Sequence, residues 1–352
     1  MNILWLLHCL IAFVSATAIT YLTGFIIRII AKKLGIIDQP NPDKLHRDPT
    51  PRLGGIAIFL GFIVSLILVN HYTDLPKSAW IILLGAAVTM IVGAIDDLTV
   101  RRGGVPPVIK LIILFLITCA LSRFGIIINL PFPYFISLLI TLVWIVGITS
   151  AFNAMDNMDG LASGLALIAS MTFLAVANQT GQWSWGLLAA ALMGANFGFL
   201  GHNFYPAKLF MGDSGSFFLG FTLAALGIMG SWSTNPFKAS LIPIIILGLP
   251  LFDLAYTIIK RHHEGLTHNL KEIITYSSQD HFSHRIKDLG FSQKNTVLLI
   301  YLISFCLSAG AFILRDTAKW EAIALFAQFI LTICLIFILL RKLAQRQTIK
   351  PR

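Results

Sequence analysis

Eleven long apolar runs separated by short polar loops constrain this chain more than any other feature. They fall at 3–30, 53–70, 79–95, 106–122, 134–151, 158–177, 185–200, 215–232, 239–259, 296–314 and 320–340. Each is long enough, or nearly so, to cross about 30 Å of hydrocarbon as a helix. In lipid, a spanning segment must pair its backbone N–H and C=O groups internally, so helix is the expected form. The expected fold is therefore all-α: a polytopic membrane protein with about eleven transmembrane helices. Only 12% of the 352 residues are charged, about half the share a water-facing surface requires. The run at 106–122 is the weakest, because Lys110 lies inside it; a lysine near the interface can snorkel. Ala16-Thr17-Ala18 resembles a signal cleavage site. No Lys or Arg precedes it, and the apolar stretch continues to Ile30, so a retained first helix is expected.

An odd number of crossings places the termini on opposite sides. The segments 31–52, 96–105, 152–157, 201–214, 260–295 and 341–352 hold 19 Lys and Arg, against 5 in the opposite set. Cytoplasmic loops carry that excess, so the N-terminus is expected outside and the C-terminus in the cytoplasm. No soluble domain is visible. The expectation is one integral membrane domain, 1–352, whose loops 31–52, 96–105, 152–157, 201–214 and 260–295 form an active face in the cytoplasm, at the cell membrane.

The net charge of +10 would suggest nucleic acid in a soluble protein. Here the charge sits in topogenic loops, and no nucleic-acid partner is expected. Cys9, Cys119, Cys306 and Cys334 each lie in an apolar run without a CxxC pair, so neither a disulfide nor a thiolate metal site is implied.

The chemistry is expected where the acids fall. Of 16 Asp and Glu, Asp96, Asp97, Asp156, Asp159 and Asp213 all lie at cytoplasmic ends of the runs. Their settings are Gly93-Ala94-Ile95-Asp96-Asp97, Asn153-Ala154-Met155-Asp156-Asn157-Met158-Asp159-Gly160 and Phe210-Met211-Gly212-Asp213-Ser214-Gly215-Ser216. Carboxylates beside hydrocarbon are costly and commonly mark function. One such aspartate alone is more often a cap or a solvated end residue; three acidic motifs on one face carry more weight. Oxygen ligands with few sulfurs or imidazoles suit Mg²⁺, with Mn²⁺ as a substitute, better than zinc. Lys44, Arg47, Arg52, Lys110, Arg261 and Arg285 would suit the phosphates that complete such a site. Five histidines share the loop 260–295. His262, His263 and His268 read as a solvated face. His281 and His284, in Asp280-His281-Phe282-Ser283-His284-Arg285, read as phosphate contacts.

These motifs together resemble the polyprenyl-phosphate N-acetylhexosamine-1-phosphate transferases, a superfamily that includes the phospho-N-acetylmuramoyl-pentapeptide translocase. The resemblance runs from about Lys44 to Ser292, with five motifs in the family's order. They are Lys44-Leu45-His46-Arg47-Asp48-Pro49-Thr50-Pro51-Arg52-Leu53-Gly54-Gly55, Asp96-Asp97, Asn153 to Leu161, Asn203 to Ser216, and His281-Phe282-Ser283-His284-Arg285. The chain departs from the family twice. Asn157 stands where Asp-Gly-x-Asp-Gly has its first glycine, and Ser283 where His-x-His-His has its second histidine.

The resemblance implies transfer of a sugar 1-phosphate, GlcNAc 1-phosphate foremost, from a UDP-N-acetylhexosamine to undecaprenyl or another polyprenyl phosphate, releasing UMP. It implies Mg²⁺ on Asp213, with Asp97 and Asn153 as further ligands, and catalytic roles for Asp96, Asp97, Asp156 and Asp213. Phe210 would stack on uracil. Lys44, His46, Arg52, Lys110, Asp159, Asn203, His281, Ser283, His284 and Arg285 would contact substrate. A homodimer is compatible with this reading. The two departures favour a simple UDP-sugar over a pentapeptide-linked one, and Ser283→His should be tolerated. The alternatives are phospho-MurNAc-pentapeptide transfer and, from another class, a secondary transporter. The latter would place acids near the midplane and show an inverted repeat.

Overall fold

Apolar content rather than capping drives these helices. The computed structural model describes residues 3–40, 48–100, 103–269, 272–273, 280–314 and 319–348; Lys44, His46 and Arg47 lie outside them. The described elements are α1 (Ile3–Lys33), a two-stranded hairpin of β1 (Ile37–Asp38) and β2 (Thr50–Pro51), α2 (Gly54–Asn70), α3 (Lys77–Thr99), α4 (Pro107–Arg123), α5 (Tyr134–Met155), α6 (Leu161–Thr180), α7 (Trp183–Asn203), α8 (Asp213–Met229), α9 (Pro236–Ile246), α10 (Gly248–His263), α11 (Phe282–Asp288), α12 (Gln293–Leu314) and α13 (Lys319–Thr348). The expected all-helical architecture is present.

Among the described residues, six helices, α1, α3, α5, α6, α7 and α12, are long and apolar enough to cross a membrane; the bent pair α9–α10 would make a seventh. α2, α8 and the Trp320–Ile336 part of α13 are apolar but shorter. The run at 239–259, expected as one span, is broken by 75° at Leu247. Pro243 inside α9 and the Gly248-Leu249-Pro250 start of α10 account for the break, since proline removes a helix hydrogen bond and its ring crowds the preceding turn.

α8 is the hub, packed against α3, α5 and α2, while α1 packs along α7 and α2. Small residues let these helices approach. In Gly194-Ala195-Asn196-Phe197-Gly198 on α7, a Cβ on either glycine would strike the α1 backbone at Phe13 or Thr17, the behaviour of a GxxxG contact. Thr17 Oγ1 donates across the same crossing to the Gly194 carbonyl at 3.0 Å. The far face of α1 presents Leu22, Ile26 and Ile29 outward, as a lipid-facing helix requires.

Candidate active site

The site is built where the N-termini of α2 and α8 meet. Gly54 and Gly55 at the start of α2 donate to the carbonyls of Phe210 and Met211, both at 2.9 Å, and Phe210 N–H donates to the Pro51 carbonyl at 2.8 Å. Leu53 holds a left-handed backbone (φ 80°) to permit the junction, an uncommon conformation for a leucine. α8 therefore starts against α2, and its first residue is Asp213.

Asp97, on the last turn of α3, accepts the backbone N–H groups of Asp213 and Ser214 on its two carboxylate oxygens, each at 3.0 Å. It caps α8 from a neighbouring helix, satisfying two of the amides that a helix start leaves unpaired. Gly212 is required there: its φ is +71°, and a Cβ would press on the Asp97 carboxylate.

Asp213 then projects into a ring of polar groups. Lys110 Nζ lies 2.5 Å from Asp213 Oδ2 and 3.1 Å from Asp96 Oδ2. The same ammonium stands 5.1 Å from the centre of the Phe217 ring. Asn153 Nδ2 donates to Asp213 Oδ1 at 3.1 Å and to Ser216 Oγ at 2.9 Å. Asp96 Oδ1 accepts Val105 N–H at 2.6 Å. Asp156, at the end of α5, accepts from Gly212 N–H and lies within electrostatic reach of Asp213, Asp97 and Arg52. Arg52 is itself paired with Asp38 at 3.1 Å. The structure thus gathers Asp96, Asp97, Asp156, Asp213, Asn153, Arg52 and Lys110 at one end of the bundle.

A second cluster is mounted on α10. Arg261 forms a double contact with Asp280, at 2.6 and 3.0 Å. Arg285 Nε donates to the Asp280 carbonyl at 2.9 Å, and its Nη1 to Tyr256 Oη at 2.9 Å. Among the described residues, its buried Nη2 has no partner. His281 and the Phe282 N–H both bond Asp253, which is fully buried in α10. His284 is buried in α11; burial first, and then the proximity of His281, holds its imidazole below the usual histidine range. The two clusters are joined through Ser283, whose Oγ donates to Asn157 Oδ1 at 2.8 Å.

Two of the expected substrate contacts make bonds within the protein. Asn203, 2% exposed, accepts from Gly160 N–H and Ser163 Oγ and donates to the Leu209 carbonyl. Asp159 Oδ2 accepts Ala207 N–H at 3.0 Å. Together they clasp the 156–160 loop to the 203–210 loop. Asp253 and Tyr256 lie outside every motif read from the sequence, and Asp280 and Ser216 lie inside two of them without an assigned role. For Asp253 a signal was available, as it is the lone acid inside the apolar run 239–259.

Among the described residues, no three His, Cys, Asp or Glu side chains form a ready cage for a metal ion. Mg²⁺ does not need one: it takes one or two carboxylates and completes its shell with water and substrate phosphate. The ring around Asp213 is rich in oxygen, and a lysine ammonium is drawn between two of its carboxylates. The residues therefore fit Mg²⁺ at Asp213. Asn153 turns its amide nitrogen toward Asp213, an orientation that follows from the hydrogen-bond pattern. Asp97 already holds two amides.

The chain matches the family model described as Glycosyl transferase family 4 over residues 79–231. It is 34% identical over 334 residues to "Probable undecaprenyl-phosphate N-acetylglucosaminyl 1-phosphate transferase" of Bacillus subtilis, covering 93% of this chain and 90% of that protein. It is 30% identical over 346 residues to "Decaprenyl-phosphate N-acetylglucosaminephosphotransferase" of Mycobacterium tuberculosis, covering 86% and 83%. It is 28% identical over 313 residues to "Undecaprenyl-phosphate alpha-N-acetylglucosaminyl 1-phosphate transferase" of Escherichia coli K12, covering 84% and 81%. Likeness of this extent along nearly the whole length means that the chain belongs to glycosyl transferase family 4.

Proposed function

We propose that this chain transfers N-acetylglucosamine 1-phosphate from UDP-N-acetylglucosamine to undecaprenyl phosphate or a similar polyprenyl phosphate, with release of UMP. The observation that carries the reading is the union of an acidic cluster and a donor-rich cluster through Asn157 and Ser283. A diphosphate needs both, a cation-binding side and a hydrogen-bond-donor side. The relatives' names give the sugar phosphate and the class of lipid.

In the reaction, a lipid phosphate oxygen attacks the phosphorus that bears the sugar. A new O–P bond forms, and the bond from that phosphorus to the bridging oxygen breaks, leaving with UMP. Bound Mg²⁺, held by Asp213, would neutralise the diphosphate. Asp97 fixes the start of α8 and so the place of Asp213. Asp96, with one oxygen turned to Lys110, is the better placed of the pair to orient or deprotonate the lipid phosphate. Lys110 bridges Asp96 and Asp213 and offers its charge to an incoming phosphate. Asp156 keeps Gly212 and the loop before α8 in register. Arg285, whose buried Nη2 has no partner among the described residues, is a ready donor to the diphosphate. The helix starts of α2 and α8 add their positive ends.

About eleven crossings, one membrane domain, the N-terminus outside and the site at the cytoplasmic face of the cell membrane belong to this proposal. In a background with all four cysteines replaced, cysteines placed at 74, 181 and 235 should label from outside intact cells. Those at 101, 208 and 270 should label only with a permeant reagent. Outside labelling at 208 would remove the shared face.

The test of function is an assay of purified protein with polyprenyl phosphate and a panel of UDP-sugars, read as UMP release. UDP-GlcNAc should support turnover, and no release with any sugar would refute the reading. Phe210, half-buried beside the α2–α8 junction, is proposed to stack on uracil. Phe210→Leu should weaken UDP-sugar binding by about 1–3 kcal/mol, the worth of one stacked base. If Phe210 is instead an interfacial anchor, nucleotide affinity measured by titration will not change.

A further inference from the structure

α10 carries a buried acid that the mechanism above does not use. Asp253 is 0% exposed and lies in the helix that follows the 75° bend. Its two oxygens serve one segment. Oδ1 accepts the Phe282 N–H at 2.7 Å, fixing the start of α11. Oδ2 lies 2.8 Å from His281 Nδ1. A carboxylate is acceptor only, so the hydrogen of this bond belongs to Nδ1. The remaining ring nitrogen, Nε2, then holds the lone pair of the neutral ring. The side chain is 12% exposed, so it has an opening to solvent. Neighbouring residues of α10 hold the rest of the segment: Tyr256 binds Arg285, and Arg261 binds Asp280. Positions 256 and 261 lie about one and two helical turns beyond 253, which puts these mounts toward one side of α10.

We propose that Asp253 is a positioning residue for the transfer, holding His281 with its hydrogen on Nδ1. When His281 takes a proton from solvent at Nε2, through that opening, it then meets the donor diphosphate as an imidazolium flanked by two anions. This deepens the transferase reading and rests on it. An oriented, carboxylate-backed imidazolium is a stronger donor than a neutral ring toward the charge that develops on departing UMP. The contact matters more as the bond breaks than while substrate is merely held, so its loss should appear in kcat more than in KM.

Asp253→Asn is the informative change. Its Oδ1 can still accept from Phe282, which preserves the helix start. Its Nδ2 is a donor and can pair only with a bare His281 Nδ1, so the ring hydrogen moves to Nε2. The first readout needs no turnover: carbethoxylation of His281 at pH 8, mapped by mass spectrometry. The reagent attacks a nitrogen lone pair. Nε2 of the native ring should react at least tenfold faster than the ring in Asp253→Asn. The second readout is UMP release per UDP-sugar-binding site. Asp253→Asn should lose about 10–100-fold in kcat, the usual loss when such a supporting partner is removed, with KM within about threefold. His281→Ala should lose as much, and the double variant no more. Asp253→Glu retains the charge and should keep fast carbethoxylation and more turnover than Asn. The proposal is overturned by equal carbethoxylation in native and Asn forms, or by losses that multiply in the double variant. It is also overturned by equal impairment in the Glu and Asn forms. A native protein that reacts at His281 as expected but releases no UMP would instead count against the transferase reading.

Discussion

Asp213→Asn is expected to lower UMP release on the order of 10³-fold while leaving the protein folded. The side chain keeps its size, and its backbone N–H remains capped by Asp97. What is lost is the charge that draws Lys110 to 2.5 Å and that would hold Mg²⁺. Apparent Mg²⁺ affinity, measured by titrating UMP release, should fall with it. Turnover within a few fold of native would remove the metal assignment. Asp97→Asn should fail in another way. Both Asp97 oxygens receive backbone amides, and an asparagine would turn a donor toward one of them. An unsatisfied buried donor costs about 1–3 kcal/mol. Asp97→Asn should therefore lower the melting temperature in detergent as well as turnover, whereas Asp213→Asn should lower turnover alone.

The second large effect concerns the two positions at which the chain departs from its family. Read from the sequence, Ser283→His restores a common pattern and should be harmless. The structure reverses that expectation. Ser283 is 0% exposed, and its hydroxyl bonds Asn157 at 2.8 Å. An imidazole there would be forced against the Asn157 side chain, and overpacking of this kind costs about 1–3 kcal/mol. Ser283→His alone should cut UMP release well over tenfold. Adding Asn157→Gly, which clears the space, should recover most of it. If the double variant were no better than Ser283→His alone, the two positions would not be a matched pair.

The same pair shows how much of the site was legible beforehand. Asn157 and Ser283 are 126 positions apart. The sequence shows each as a separate oddity, and nothing in it says that they touch. The acidic motifs were legible because carboxylates at the ends of apolar runs are rare enough to stand out, and the fold gathers Asp96, Asp97, Asp156 and Asp213 together. Their division of labour was not legible. That Asp97 caps a helix while Asp213 faces Lys110 depends on how α3 meets α8. Asn203 and Asp159 carried the same polar signal as the other candidates, and nothing in it says that they clasp two loops together. The helices followed directly from apolar content. The break at Leu247 did not, although Pro243 and Pro250 were visible; proline is tolerated in membrane helices often enough that its position alone does not fix a bend.

The shortness of α2 and α8 has a consequence for the surrounding lipid. Each has 17 residues and so rises about 25 Å, against about 30 Å of hydrocarbon. α8 is enclosed by its neighbours, but α2 turns Val64, Ile67 and Leu68 outward, so the shortfall meets lipid through α2, whose N-terminus meets that of α8 beside Asp213. A bilayer adapts to a short helix by thinning around it, at a cost that grows with each ångström of mismatch. Acyl-chain length thereby bears on the geometry of the site itself. The same protein should work at different rates in thin and thick membranes, with no residue changed.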